Sequence, residues 1–88
     1  MYTVYVLYSL EYNKIYIGYT SDLQNRLLSH NALATKGYTL RYRPWIIAYT
    51  EEFTTKTEAI KREYYLKSTQ GRKFIWNMVH EKFDSSDG

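Results

Sequence analysis

Tyr2-Thr3-Val4-Tyr5-Val6-Leu7-Tyr8-Ser9 and the return segment Lys14-Ile15-Tyr16-Ile17-Gly18-Tyr19 decide the architecture. Side chains alternate along an extended chain, so Tyr2, Val4, Val6 and Tyr8 fall on one side and Thr3, Tyr5 and Leu7 on the other. β-Branched and aromatic residues fill both segments, as half-buried strands require. Between them, Glu11-Tyr12-Asn13 has the chemistry of a turn. The pair reads as an antiparallel hairpin. With a two-residue loop, Val6 faces Ile17, Leu7 faces Tyr16 and Tyr5 faces Gly18. A slip of one residue would exchange the two faces, so this register decides which side chains share a surface.

Downstream, Ser21-Asp22-Leu23-Gln24 matches a capping box with Ser21 as N-cap, and predicts a helix to about Asn31. Leu23, Leu27 and Leu28 form its buried stripe, while Asp22, Arg26 and His30 recur every fourth residue on another face. Gly37 opens a loop that continues through Arg41-Tyr42-Arg43-Pro44. The near-continuous apolar run Trp45-Ile46-Ile47-Ala48-Tyr49 predicts a third strand buried on both faces. Thr55-Lys56-Thr57-Glu58 is a second capping box, opening a helix to about Lys67. After a break at Gln70-Gly71, Phe74, Ile75, Met78 and Val79 mark a third helix. The tail Asp84-Ser85-Ser86-Asp87-Gly88 is expected to be disordered, leaving one domain over residues 1–83. The order ββαβαα predicts an α/β fold, a small three-stranded antiparallel sheet flanked by helices.

Composition narrows the function. With 88 residues the chain holds one domain, and with no cysteine it has neither disulfides nor a thiolate zinc site. No apolar run approaches the ~20 residues of a membrane span, and no signal peptide precedes the first strand. A soluble, cytoplasmic protein with no membrane contact is the expectation. The net charge is +3, and the tail holds Asp84 and Asp87, so residues 1–83 carry +5. Cations interleave with aromatics at Arg41-Tyr42-Arg43 and cluster again at Arg72-Lys73. Such a surface suits nucleic acid, since cations track the backbone and rings stack on bases; an ordinary solvated surface has similar charge. The 11 tyrosines also serve as filling for strands and interfaces.

One residue breaks its local pattern. Ala59, Ile60 and Leu66 form the apolar stripe of the second helix, and Glu63 falls among them. An unpaired buried carboxylate costs several kcal/mol, on the order of 2–7 for polar groups and more for charges, so something must compensate it. A divalent cation is one candidate, and Lys67, four residues further on, is the other.

Thr3-Val4-Tyr5, Tyr16-Ile17-Gly18, Arg26, His30 and Glu63, in this order and on these elements, resemble the GIY-YIG nuclease family. The second tripeptide is intact, whereas the first keeps only its final tyrosine. The segment Tyr16-Ile17-Gly18-Tyr19-Thr20-Ser21-Asp22-Leu23, followed by Arg26, Leu27 and His30, is the most specific part. Glu58-Ala59 through Glu63 to Lys67 resembles the metal-bearing helix of that family. The resemblance covers residues 2 to about 67 and is nearest to its small stand-alone branch, related to the excision-repair nuclease.

The resemblance implies the GIY-YIG fold and a DNA endonuclease acting in DNA repair or recombination. It also implies Glu63 as sole protein ligand of a magnesium or manganese ion, with Arg26 on the phosphate oxygens. Tyr5, Tyr16 and His30 would position and deprotonate the attacking water, and each remains open as the base. A phenol titrates near ~10, so a tyrosine base needs neighbouring cations. Gly18, opposite Tyr5, would leave room beside its ring. Tyr19 and Lys67 are placed in the same cleft, and Arg41, Arg43, Arg72 and Lys73 are candidates for duplex-backbone contacts. Trp45 and Trp76 are expected in the core. Two other functions fit the same fold: a nucleic-acid-binding module that does not cleave or depends on a protein partner for specificity, and a structural interaction domain.

Overall fold

A strand buried on both faces belongs in the middle of its sheet. Here that strand is Tyr2–Ser9 (β1), in which every residue from Val4 to Ser9 is buried. The computed structural model describes residues 1–33 and 37–83, and the expected disorder of 84–88 lies outside the described residues. Lys14–Thr20 (β2) and Ile46–Phe53 (β3) flank β1, both antiparallel to it, in the order β2-β1-β3. The hairpin register is the predicted one: Tyr5 opposes Gly18, Val6 opposes Ile17 and Leu7 opposes Tyr16. Pairing stops at Ser9 and Lys14, so the loop runs from Leu10 to Asn13 and is longer than expected. Asn13 closes it at φ 55°, a conformation asparagine tolerates, and donates its N–H to the Ser9 carbonyl at 2.7 Å.

The third strand corrects the expectation of burial on both faces. β3 lies at the sheet edge, and Ile47, Thr50 and Glu52 are exposed. Val6 opposes Tyr49 while Leu7 opposes Ile47, so Ala48 is a bulge residue that turns inward out of alternation. Lys82 donates its ammonium to the Ala48 carbonyl at 3.2 Å. Trp45, first in the apolar run, precedes the strand and is buried against the opposite sheet face.

Leu23–Leu28 (α1) is capped by Asp22, whose carboxylate accepts the Asn25 N–H at 3.2 Å, and not by Ser21. The chain continues as a π-helical turn over Ser29–Leu33. Tyr38–Arg41 (α2) is a short helix inside the stretch read as loop. Lys56–Leu66 (α3) has the predicted cap, with Thr55 accepting the Glu58 N–H at 3.2 Å. Thr69–Phe83 (α4) begins before Gly71, which is therefore not a break. A Cβ on Gly71 would lie 2.2 Å from the Tyr65 carbonyl oxygen, so glycine is what lets α4 turn closely across the end of α3. The order ββαβαα holds, with α2 inserted before β3.

Helices α3 and α4 cover one sheet face. Val4, Val6, Tyr8, Ile15 and Ile17 pack there against Ala59, Leu66, Ile75 and Val79. On the other face Tyr5, Leu7 and Trp45 form a smaller core with Tyr16, Leu23, Leu27 and Tyr42. Leu28, Ile60 and Phe74, expected in buried stripes, are exposed. Each adjoins a better-placed residue (Leu27, Ala59, Ile75), and about 100° separates neighbours on a helix, so a helix covered on one side buries only one of the two. Among the described residues, no helix is long and apolar enough to cross a membrane.

Candidate active site

The register puts Tyr5, Gly18, Leu7 and Tyr16 on the face that α1 covers. Tyr5 leans toward β2, and its ring lies over the glycine: a Cβ on Gly18 would stand 2.6 Å from the phenol oxygen and 2.8 Å from Cζ. Because Tyr5 is buried, that ring could not yield without losing its partners. The Tyr5 hydroxyl hydrogen-bonds His30 Nε2 at 3.1 Å. The Tyr16 ring completes the group, with its centroid 6.3 Å from that of Tyr5 and 4.7 Å from that of His30.

His30 is 7% exposed, so it does not share a solvated face with Asp22 and Arg26 although the three recur every fourth residue. Four residues advance a helix by about 40° beyond a full turn. That offset carries His30 from the line of Arg26 toward the line of Leu23 and Leu27. Arg26 stays on the exposed rim. It lines two adjoining hollows: one of about 420 Å³ with Thr20, Ser21, Asp22, Asn25 and Ser29, the other of about 440 Å³ with Tyr2, Tyr19, Thr20, Ser21 and Lys56.

Glu63 arrives from the other sheet face. On α3 the buried line passes through Ala59 and Leu66, and Arg62 and Glu63 occupy its two shoulders. Arg62 turns to β3, where its guanidinium donates to both oxygens of Glu51 at 2.9 Å. The opposite shoulder faces β2. There the Glu63 side chain is 19% exposed and pairs with Lys67 at 3.2 Å. Lys67 lines a hollow of about 480 Å³ with Ile15, Tyr16, Ile17, Tyr38 and Arg72. Lys56, at the other end of α3, lines the hollow beside Tyr19 and Thr20. Helix α3 thus runs antiparallel to β2, and Glu63 lies between those two hollows.

The electrostatics follow from this crowding. Burial pushes the Tyr5 phenol far above its ordinary value; Tyr16 and Glu63 push the same way, and the Arg26 charge offsets part of it. Burial first, then the Arg26 charge, holds the His30 imidazole below its ordinary value. At neutral pH the pair is therefore a protonated phenol beside a neutral imidazole. Tyr5 senses Arg26 and Glu63 together, so one guanidinium and one carboxylate act on the same buried hydroxyl.

Among the described residues, no three of His, Asp and Glu gather into a cage for a metal ion. Glu63 offers a single carboxylate that keeps some access to water, which suits a small hard cation retaining most of its own waters and does not suit a zinc-type site.

The remaining predicted residues are dispersed. Arg43 is half-buried and donates to the Asn31 carbonyl at 3.1 Å, which ties its guanidinium to the protein. Arg41 is exposed, its guanidinium 5.5 Å from the Tyr42 ring centroid. Arg72 donates to the Lys67 carbonyl at 3.1 Å, and Lys73 is exposed on α4. Sequence reasoning missed Asn31, whose amide bonds both the N–H and the carbonyl of Trp45 at 2.6 and 2.9 Å. It also missed Lys56 and Tyr38. Lys56 had a signal, lying eleven residues before Lys67 and so on the same helical face.

Residues 1–77 match the family model described as the GIY-YIG catalytic domain. A UPF0213 protein of Staphylococcus haemolyticus is 39% identical over 70 residues, covering 80% of this chain and 84% of its own. The UPF0213 protein YazA of Bacillus subtilis is 38% identical over 76 residues, covering 85% and 75%. A UPF0213 protein of Halobacterium salinarum is 40% identical, covering 76% and 86%.

Proposed function

This chain belongs to the GIY-YIG family, and we propose that it is a divalent-metal-dependent endonuclease hydrolysing DNA phosphodiester bonds. The observation that carries the reading is a buried Tyr5 hydroxyl bonded to His30 beneath a half-buried Tyr16, with the charges of Arg26 and Glu63 both acting on it. A phosphodiester, which bears negative charge beside an attackable phosphorus, makes use of all four groups.

The residue roles follow from their states. Arg26 holds the non-bridging phosphate oxygens with a planar donor fork whose charge is permanent. Tyr5, kept protonated by burial, does not begin as a phenolate. Its oxygen accepts a proton from the attacking water as its own proton passes to His30 Nε2, 3.1 Å away, which is neutral and able to receive it. Tyr16 borders both rings and confines the water. Glu63, now paired with Lys67, would hold a magnesium or manganese ion, which would supply positive charge to the leaving oxygen and the phosphorane. Tyr19, Lys56 and Lys67 supply the walls of the substrate channel, and the exposed cations Arg41, Arg72 and Lys73 contribute backbone contacts. Gly18 admits the Tyr5 ring. A role in DNA repair or recombination is part of this reading.

A second reading, a nucleic-acid binder that does not cleave, draws on the Glu63–Lys67 pair, which already satisfies the carboxylate. Plasmid nicking in magnesium or manganese separates the two. The nuclease reading expects nicking that falls about 100-fold or more in Glu63→Gln and in Arg26→Ala, the scale of losing one charge-stabilising group. No cleavage of plasmid, branched, flapped or single-stranded DNA by the unaltered protein would leave the binding reading.

A further inference from the structure

A row of tyrosine rings leads away from the candidate active site along the surface. From Tyr16, ring centroids follow at 6.4 Å to Tyr38, 4.9 Å on to Tyr42 and 5.5 Å on to Tyr12. Tyr16 and Tyr42 are half-buried, whereas Tyr38 and Tyr12 are 45% and 47% exposed. Hollows open on both sides of Tyr38. One, of about 480 Å³, holds Tyr16, Lys67 and Arg72; the other, of about 530 Å³, holds Gly37, Leu40, Arg41 and Tyr42. Cations border the row: the Lys14 ammonium lies 5.3 Å and the Arg41 guanidinium 5.5 Å from the Tyr42 ring centroid. In the segments that build it, residues 10–16 and 37–43, Lys14, Arg41 and Arg43 are opposed only by Glu11.

We propose that Tyr12, Tyr38 and Tyr42, with Lys14, Arg41 and Arg72, form a binding surface for unpaired nucleotides of the DNA strand held at the active site. The proposal rests on the nuclease reading for the strand's position, since the row begins at Tyr16. Core packing explains the inner end, where Tyr38 stacks on Trp45 and donates its hydroxyl to the Ile15 carbonyl at 3.1 Å. It does not explain Tyr12, an aromatic at a loop tip with half its surface in water. Cations without rings would suit any duplex backbone. Rings among cations suit bases already free of a duplex stack, because each base then offers an open face to an aromatic side chain.

The test is fluorescence anisotropy with a labelled single-stranded oligodeoxynucleotide of about 12 nucleotides and a blunt duplex of the same sequence, in EDTA so that nothing is cleaved. The single strand should bind more tightly to the full chain. Tyr12→Ala should weaken that binding about fivefold or more, the scale of losing one stacked base, while duplex binding changes little. Lys14→Glu, at a second exposed position, should weaken single-strand binding as well. Both variants should keep the circular dichroism of the unaltered protein. Equal affinity for strand and duplex, or single-strand binding unchanged in both variants, would overturn the proposal. The nuclease reading fails separately: unaltered protein that does not nick DNA in magnesium or manganese, yet keeps a Tyr12-dependent preference for the single strand, removes the chemistry and keeps the surface.

Discussion

His30 is a neutral imidazole enclosed by two phenol rings with a guanidinium nearby, and its burial and the Arg26 charge both disfavour its protonated form. In the unfolded chain the same side chain titrates near 6.5. Below that pH the unfolded state binds a proton that the folded state resists, so stability is present above about 6.5 and is lost as pH falls toward the lowered folded-state value. Thermal unfolding followed from pH 7.5 to 5 should show a midpoint that declines through this window. His30→Gln should flatten the decline. An equal slope in both proteins would show that His30 is not the group whose protonation folding opposes. Gly18 belongs to the same microscopic picture: its lack of a side chain is what allows Tyr5 to lie across β2 and reach His30.

Helix α1 carries Arg26 and leads into His30, so its start fixes two site residues at once. Asp22 makes the capping bond, although Ser21 with Gln24 fits the capping pattern by spacing. Asp22→Ala should cost about 1 kcal/mol, lowering the thermal midpoint by about 4–8 °C for a chain of this size, whereas Ser21→Ala should change stability by no more than about 0.5 kcal/mol. The reverse order would return the cap to Ser21. The one-residue error arises because both residue types cap well and only the backbone at the junction chooses between them. Strand parity, by contrast, was readable: alternation from Tyr2 to Tyr8 set the faces, and the register followed even though the loop length was misjudged. The inward shoulder of Glu63 was also readable from helical periodicity. What local sequence could not carry was long-range. The Ala48 bulge hides that β3 is an edge strand, and the Asn31–Trp45 bonds join residues with α2 between them.

At the scale of the whole molecule, the candidate site straddles β2, an edge strand of the sheet among the described residues. Tyr5, Tyr16, Arg26 and His30 come from the face beneath α1, and Glu63 comes from the face covered by α3. Two hollows mark this edge, one with Arg26 and Lys56 and the other with Lys67 and Arg72. Lys67 is four residues beyond Glu63, about 6 Å along the helix, and Ile15 to Ile17 line its hollow. At about 3.3 Å per strand residue the Glu63 turn therefore falls beside Gly18. An edge strand is normally a hazard, and here cationic side chains flank it. The arrangement makes a definite demand on where a cation binds. Manganese titrated into isotope-labelled protein and followed by NMR line broadening tests it most directly. Amide signals of residues 17–19 and 62–64 should broaden first, and Glu63→Gln should abolish that pattern; broadening centred on other carboxylates, or unchanged by the substitution, would contradict a cation held by Glu63 at the β2 edge.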